Sequence, residues 1–327
     1  MNASAPAGAP LVSVLLASRN GARYLPDALR GLLDQTYRPV EIVAVDDGSE
    51  DETASLLDAF AAIHPRVVRL RSGGVGPGAA RDLAFRASSG PLIAIHDDDD
   101  VSRPDRFERQ VAAFLERPQL GVLGTAADVI DERGRRQGAY PVPLDPSAIR
   151  RTLKRAPPFV NGSVVMRRSA YEAAGGFRPE FRSSEDFDLW LRVPVEFEMG
   201  NLRQPLYAWR DRAENLTSRG RGAMTFYAAV ARAFADERRE TGGDSVELLR
   251  AWGSEEEFLE HYPRSGRVAF YFGEMLARQG HAREARRLLG RALRDPSSRR
   301  AALPWWGLTW LLPLTPRARE ASRGRTA

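Results

Sequence analysis

Four short apolar runs, separated by segments with helical spacing, constrain the fold of this chain more than any other feature. Strands are predicted at Leu11–Ala17, Val40–Val45, Val67–Leu70 and Pro91–His96. Helices are predicted between them at Arg23–Leu33, Thr53–Ile63 and Ala79–Ala87. This alternation predicts an α/β fold with a mostly parallel central sheet. Ligands bind such sheets beyond the carboxyl ends of the strands, so the polar residues that follow each strand are candidate site residues.

Two adjacent acids, Asp46 and Asp47, follow the second predicted strand. Neighbouring anions repel each other unless hydrogen-bond donors bind them, and a base or a ribose would supply such donors. The alternative is a helix start in which Ser49 and Glu52 form a capping box. That alternative does not account for two carboxylates at the end of a strand.

Four consecutive acids, Asp97 to Asp100, follow the fourth predicted strand and form the most informative segment of the chain. Mg²⁺ typically takes one or two carboxylates and completes its shell with water and phosphate oxygens. In extended backbone Asp97 and Asp99 would point to the same side and approach one ion together. The alternatives are an acidic surface loop and an EF-hand, which fits poorly because Ser102 occupies its glycine position.

A glycine-rich segment, residues 73–78, lies between these acids and leads into a helix whose first turn presents Arg81. It is not a P-loop, because it lacks the Gly-Lys-Ser/Thr sequence. A plain glycine turn and a loop for phosphate or base contact are both open interpretations.

A second acidic group, Glu185-Asp186-Phe187-Asp188, begins a predicted helix at Ser184–Val193. Acids are favoured at helix starts by the helix dipole, so a purely structural role is one interpretation. Transfer of a group to a hydroxyl needs a carboxylate base that is distinct from the metal ligands, and an acid of this group is a candidate. Further strands are predicted at Gly121–Ile130 and Phe159–Met166.

Taken in order, these segments resemble the family 2 glycosyltransferases of the GT-A fold, from about Leu11 to Ser218. The matching blocks are Val12–Asn20, Gln35–Tyr37, Glu41–Ser49, Asp97–Asp100 with Pro104, Gly175–Phe177 with Glu185 and Asp186, and Pro205–Arg210. Two positions depart from the family pattern. Asp82 stands where asparagine is usual, and Arg212 stands where histidine is frequent, which puts a metal or phosphate contact from residue 212 in doubt.

The resemblance implies a role for eight residues. The nucleoside would be held by Ser18, Asn20, Asp47 and Arg81, with Asp98 near its ribose. Asp97 and Asp99 would hold Mn²⁺ or Mg²⁺ against the diphosphate, and Asp186 would deprotonate the acceptor. The implied activity is inverting transfer from a nucleotide-diphosphate sugar (UDP, dTDP or GDP type) to a glycan, polysaccharide or lipid-linked saccharide. Acceptor contacts are expected in Asp131–Pro158 and in the loop before Ser184.

Two other functions stay open on the sequence alone. A sugar-nucleotide nucleotidyltransferase also uses metal-bound carboxylates, but it predicts a basic, glycine-rich loop after the first strand, and Ser18-Arg19-Asn20-Gly21 is a poor one. A non-catalytic nucleotide-sugar-binding scaffold would not need Asp186.

We expect three regions: a disordered tail at residues 1–10, a GT-A domain at 11–220, and a helical, basic region at 221–327. From Arg264 onward there are 14 Arg and four acids, whereas the preceding residues carry 34 basic and 39 acidic groups. Such a tail suits an anionic partner, and nucleic acid is the weaker choice because no binding motif accompanies it.

The segment 303–314 carries three tryptophans between arginines, which is typical of a membrane interface, although packing against the catalytic domain is the alternative. The chain has no cysteine and no apolar stretch near the ~20 residues of a membrane span. We therefore expect a cytoplasmic protein, attached peripherally to the inner face of the cell membrane.

Overall fold

The computed structural model describes residues 8–212, 221–251 and 254–311. These residues belong to two compact units, which divide between Arg219 and Gly220. The predictions for residues 1–7 and for the end of the segment 303–314 therefore fall outside the described residues.

The first unit is built on one nine-stranded sheet. Its strands are β1 (Val12–Ser18), β2 (Val40–Asp47), β3 (Val67–Ser72), β4 (Leu92–Asp97), β5 (Val101–Ser102), β6 (Leu120–Ile130), β7 (Arg136–Tyr140), β8 (Val165–Arg167) and β9 (Glu198–Arg210). The order across the sheet is β3-β2-β1-β4-β8-β6-β9-β5, with β7 paired to β6. The long pairings, among β1 to β4 and between β6 and β9, are parallel. The prediction of an α/β fold with a mostly parallel sheet is confirmed.

Helices cover both faces of this sheet. They are α1 (Leu25–Leu33), α2 (Thr53–Ile63), α3 (Pro77–Ala87), α4 (Arg106–Glu116), α5 (Pro146–Leu153), α6 (Arg168–Ala173) and α7 (Glu185–Arg192). Alternate residues of each strand face opposite sides, so Leu15 packs in the cluster with α3 and α7, while Val14 and Leu16 pack in the cluster with α1, α2 and α4. Because both faces of the sheet are buried, successive residues of each strand are apolar, and the sequence of each strand is a continuous apolar run.

The register of the parallel strands brings the polar strand ends together. Ser18 of β1 lies beside Asp46 of β2, and Ala17 lies beside Asp97 of β4. The carboxyl ends of β1, β2 and β4 therefore form one edge, which carries most of the residues selected from the sequence.

Two local predictions were wrong. The expected strand Phe159–Met166 is replaced by a 3₁₀ turn at Asn161–Ser163, followed by the short strand β8. The Ser163 hydroxyl closes this turn by donating to the Val160 carbonyl at 2.7 Å. Ser49 does not cap α2, because its hydroxyl instead accepts from the backbone nitrogen of Asn20 at 3.0 Å.

The second unit is helical throughout its described residues. Its helices are α8 (Arg221–Thr241), α9 (Glu247–Ala251), α10 (Glu255–His261), α11 (Ser265–Arg278), α12 (Ala282–Ala292) and α13 (Arg299–Leu308). The turn between α11 and α12 falls at Gly280, whose φ of +87° is accessible to glycine without strain. Within the described residues, none of the helices has the length and apolar character needed to cross a bilayer.

Candidate active site

The acidic segment after β4 turns sharply instead of running on as extended chain. The strand ends at Asp97, and the backbone nitrogen of Asp100 donates to the Asp97 carbonyl at 3.4 Å. The expectation that Asp97 and Asp99 share a side through extended backbone was therefore wrong. Asp100 is buried and accepts from the Arg210 backbone nitrogen at 2.7 Å, which anchors the turn to β9.

Two arginines balance the carboxylates of this turn. Arg81 donates to Asp97 at 2.6 Å, and the guanidinium of Arg212 lies 2.5 Å from the Asp99 carboxylate. Burial and the neighbouring Asp99 still raise the pKa of Asp98 to about 7. Burial and Asp97 likewise raise the pKa of Asp99. The turn thus retains negative charge that a further cation would stabilise.

The donor set fits a hard divalent cation only in part. Within the described residues no group of three or more His, Cys, Asp or Glu side chains could hold an ion. Asp97 and Asp99 offer two carboxylates, which suits Mg²⁺ or Mn²⁺ when phosphate and water complete the shell. A cation here would compete with, or share Asp99 with, Arg212, the residue at the family's histidine position.

Ser18, Asn20 and Asp98 lie at the carboxyl ends of β1 and β4. The Ser18 hydroxyl donates to the Asp98 carboxylate, and a Cβ on Gly21 would lie 2.1 Å from the same carboxylate oxygen. Asn20 has a φ of 55°, which is unusual for a residue other than glycine. Its side-chain oxygen accepts from the Glu50 nitrogen at 2.8 Å, so Asn20 joins the loops that follow β1 and β2.

Asp47 holds the glycine-rich loop. Its carboxylate accepts from the Ser72 hydroxyl and the Val75 nitrogen, both at 2.7 Å, and from the Gly76 nitrogen at 2.8 Å. Burial raises the pKa of Asp47, but these hydrogen bonds outweigh it and the net pKa is lowered. The loop is therefore pinned to the end of β2 by an ionised carboxylate.

Arg81 connects the acidic turn to α7. It is 6% exposed, and besides Asp97 it donates to Glu185 at 2.9 Å. Burial lowers the pKa of Arg81, but the Asp97 and Glu185 carboxylates raise it by more, so the guanidinium stays charged. Both of its terminal nitrogens therefore bind carboxylates, one on the acidic turn and one on α7.

The three acids of α7 lie in different surroundings. Asp188 is fully buried between Arg178 at 2.7 Å and Arg192 at 2.9 Å, and it has a structural role. Glu185 is paired with Arg81. Asp186 forms no ion pair within the described chain and accepts from the Phe187 backbone nitrogen at 2.7 Å.

Burial and the charge of Glu185 raise the pKa of Asp186 to about 7. A carboxylate with a pKa near neutrality is well matched to accepting a proton. Its helix begins after Ser184, whose φ of 54° makes it, with Asn20, one of two left-handed residues other than glycine in the described chain. Strain of this kind is frequent at functional sites.

Tyr207 was not selected from the sequence. Its hydroxyl accepts from the Asp97 backbone nitrogen at 3.3 Å, and its ring lies edge-on to His96 with centroids 5.3 Å apart. This contact joins positions 110 residues apart. Only its place in the block Pro205–Arg210 could have drawn attention to it.

The edge therefore combines an acidic turn, polar side chains at two strand ends, and a separate acid whose pKa is raised to about 7. Together with the parallel sheet, this arrangement defines a GT-A glycosyltransferase. The profile described as glycosyl transferase family 2 matches residues 13–175. EpsE of Bacillus subtilis (strain 168) is named as a glycosyltransferase. It is 34% identical to this chain over 207 residues, which cover 62% of this chain and 73% of EpsE. The chain belongs to glycosyl transferase family 2 and is a glycosyltransferase.

Solved structures share the fold. S. aureus TarS (1–349) in complex with UDP-GlcNAc has a TM-score of 0.58 at 18% identity, over 91% of this chain and 92% of that one. The mannosyltransferase PcManGT from Pyrobaculum calidifontis, in complex with GDP-Man and Mn²⁺, has a TM-score of 0.52 at 19% identity, over 94% and 88%.

Proposed function

We propose that this glycosyltransferase moves a sugar from a nucleotide-diphosphate donor to a saccharide or lipid-linked saccharide hydroxyl, with inversion at the anomeric carbon. The observation that carries the proposal is Asp186, a carboxylate with a pKa of about 7 that forms no ion pair among the described residues. It lies on the helix that Arg81 joins to the acidic turn. The donor type is supported by TarS and PcManGT, whose complexes contain UDP-GlcNAc and GDP-Man.

In the proposed reaction the acceptor oxygen bonds to the anomeric carbon while the bond from that carbon to the diphosphate oxygen breaks. Asp186 takes the acceptor proton, and the bond electrons leave with the nucleotide diphosphate. A single displacement from the opposite face inverts the anomeric carbon. The transition state is oxocarbenium-like, as in glycoside hydrolysis.

Donor binding is assigned to the strand ends. Ser18, Asn20, Asp47 and Arg81 would hold the nucleoside, with Asp98 near the ribose. Asp97 and Asp99 would hold Mn²⁺ or Mg²⁺, which when bound neutralises charge on the departing diphosphate. PcManGT, with Mn²⁺ in its complex, supports this choice of cation.

The location we propose is the cytoplasmic side of the cell membrane, in peripheral contact with an anionic lipid surface. Exposed apolar side chains in 303–311, together with the arginines near them, support this part of the proposal.

A panel of UDP-, dTDP- and GDP-sugars, incubated with the full chain and Mn²⁺, tests the reaction. We expect one donor to be hydrolysed slowly, because water can replace an absent acceptor, and NMR of the first-formed sugar to show the inverted anomer. A retained anomer would refute the single displacement. Failure of every nucleotide sugar to bind would refute the donor assignment.

A further inference from the structure

An aromatic pair on the sheet of the first unit has no part in the chemistry described so far. Tyr140 of β7 and Trp209 of β9 have ring centroids 6.0 Å apart and planes inclined by 66°. Tyr140 is the one aromatic among the exposed large apolar side chains of residues 8–212, and 47% of its surface is accessible. An aromatic pair on a sheet, with Tyr140 exposed and Trp209 partly buried, is a candidate binding surface.

The register explains why the two rings meet. Tyr140 lies opposite Ala127 of β6, and Trp209 lies opposite Val129 on the other side of the same strand. Cross-strand partners point to the same face, so both rings project from one side of the sheet and touch diagonally. Trp209 also packs on the buried cluster of Ala127, Val160 and Tyr207.

This face leads directly to the acidic turn. Tyr207 precedes Trp209 by two residues on the same face of β9, and two residues of strand span about 7 Å. The Tyr207 hydroxyl contacts the Asp97 nitrogen. A Cβ at Gly162 would lie 1.9 Å from that hydroxyl and 2.9 Å from Asp97 Oδ2, so a glycine is required where β9 and the acidic turn approach.

Asp97 also contacts the other part of the site. Its Oδ1 accepts from Arg81, which in turn binds Glu185 beside Asp186. Asp97 is therefore contacted from two directions: Tyr207, two residues before Trp209, binds its backbone nitrogen, and Arg81, which also binds Glu185, binds its carboxylate. An acceptor whose terminal hydroxyl reached Asp186 would extend past Asp97 over neighbouring surface.

We propose that Tyr140 and Trp209 form a subsite for a pyranose ring of the acceptor, one that rests on the proposed function. A pyranose presents a face of C–H groups, and an aromatic ring presents a negatively polarised face that attracts them while both surfaces lose water. Tyr140 lies within 131–158, where acceptor contacts were expected. The occupant is thus a neutral saccharide, held mainly by stacking.

Saturation-transfer NMR tests this with soluble tetrasaccharides of glucose, mannose and N-acetylglucosamine, added to the full chain with UDP and Mn²⁺. We expect transfer from aromatic protons to ring C–H protons of at least one tetrasaccharide. Tyr140→Ala and Trp209→Ala should each weaken its binding about tenfold, the size of a lost aromatic contact. Tyr140→Phe should retain binding, and Trp310→Ala, an exposed tryptophan of the second unit, should not change it.

UDP affinity, measured by calorimetry on the same samples, should be equal in all variants. The subsite is refuted if no tetrasaccharide receives saturation from the wild type, or if the alanine variants bind as well as the wild type. A change of oligomeric state in Tyr140→Ala would instead identify the face as a contact between copies and also overturn the proposal. Failure of the wild type to bind UDP, dTDP and GDP alike would refute the donor assignment alone.

Discussion

Asp186 differs from Glu185 and Asp188 in α7 because it forms no ion pair with an arginine of the described residues, and this difference makes it the first residue to test. Asp186→Asn keeps the size of the side chain and removes its basicity. We expect turnover to fall by about 10²–10⁴. UDP or GDP affinity should stay the same, because the proposed nucleoside contacts lie on other elements.

Paired turnover and calorimetry on Asp186→Asn decide the assignment, with the exposed Glu196→Gln as the matched control. Lost nucleotide binding would reassign Asp186 to the donor or to folding. Retained turnover would leave Glu185 as the next candidate. Asp188 is not one, because its carboxylate is fully buried between two arginines.

The pH dependence of turnover follows from the raised pKa of Asp186, which is about 7 because of burial and the nearby Glu185. The base acts in its ionised form, so the rate should rise with pH through about 7 and be lost below it. Glu185→Gln removes the like charge, so the rise of the rate with pH should move to lower pH. A lower rate whose pH dependence is unchanged would show that Glu185 acts only through Arg81 and the fold.

The acidic turn predicts that nucleotide affinity depends on a divalent cation. UDP or GDP should bind measurably tighter with Mn²⁺ than with EDTA, and Asp99→Ala should abolish the difference. Calorimetry measures both. Equal affinity in EDTA, or an unaffected Asp99→Ala variant, would contradict a metal site at these residues. Arg212→Ala is informative beside it, because it removes the guanidinium 2.5 Å from Asp99 without removing a carboxylate.

Among the elements of the site, the glycine-rich loop depends on a close approach to the end of β2. Gly48 has a φ of +72°, and a Cβ there would lie 2.9 Å from the Gly74 backbone nitrogen. Gly48→Ala should therefore lower the free energy of unfolding by about 1–3 kcal/mol and weaken nucleotide binding. Gly73→Ala is the control, since its Cβ would meet no atom within 4 Å and its φ is ordinary. Equal melting temperatures for the two variants would refute this account of the loop.

The sequence predicted the positions of helices and strands better than it predicted the contacts between side chains. β1 to β4 and α1 to α3 lie within a few residues of their predicted ranges, because burial on both faces produces unbroken apolar runs between amphipathic helices. The prediction of a strand at Phe159–Met166 was wrong, because Asn161, Gly162 and Ser163 close a turn between apolar residues. Local hydrogen bonding by such side chains competes with a strand and is not visible in periodicity.

The site was predictable as a set of strand ends, but its internal pairing was not. Order along the chain placed Ser18, Asp47 and Asp97 at one sheet edge. That Asp47 binds the glycine-rich loop, or that Arg81 bridges Asp97 and Glu185, depends on side-chain directions set by tertiary packing. Tyr207 and Trp209 show the same limit, since their importance comes from the strands beside them and not from their own spacing.

At the scale of the whole molecule, the excess of basic residues and one cluster of exposed apolar side chains fall in the second unit. Ten large apolar side chains are exposed in the described residues, and four of them lie in 303–311: Leu303, Leu308, Trp310 and Leu311. Trp305 packs under the Arg278 guanidinium, 4.6 Å from its ring centroid, and Trp310 carries Arg286 over one side of its ring at 4.3 Å while much of its surface stays exposed. The segment thus combines residues that pack within the unit with residues that face solvent, and exposed arginines begin its helix at Arg299 and Arg300.

This surface fits an anionic bilayer, since apolar side chains insert at the interface while nearby arginines attract the headgroups. Sedimentation of the full chain should show binding to phosphatidylglycerol vesicles, little binding to phosphatidylcholine, and weakening by salt. The double variant Trp310→Glu/Leu311→Glu should lose at least tenfold in affinity for the vesicles. Two apolar side chains that the bilayer would bury are replaced there by negative charges that the anionic lipid repels. The control is Ile63→Glu/Val195→Glu, which places the same charges at equally exposed apolar positions of the first unit. Equal loss of affinity in both double variants would mean that net charge alone governs binding to the vesicles. Equal binding of the wild type to both lipids would refute electrostatic attraction between the arginines and the headgroups.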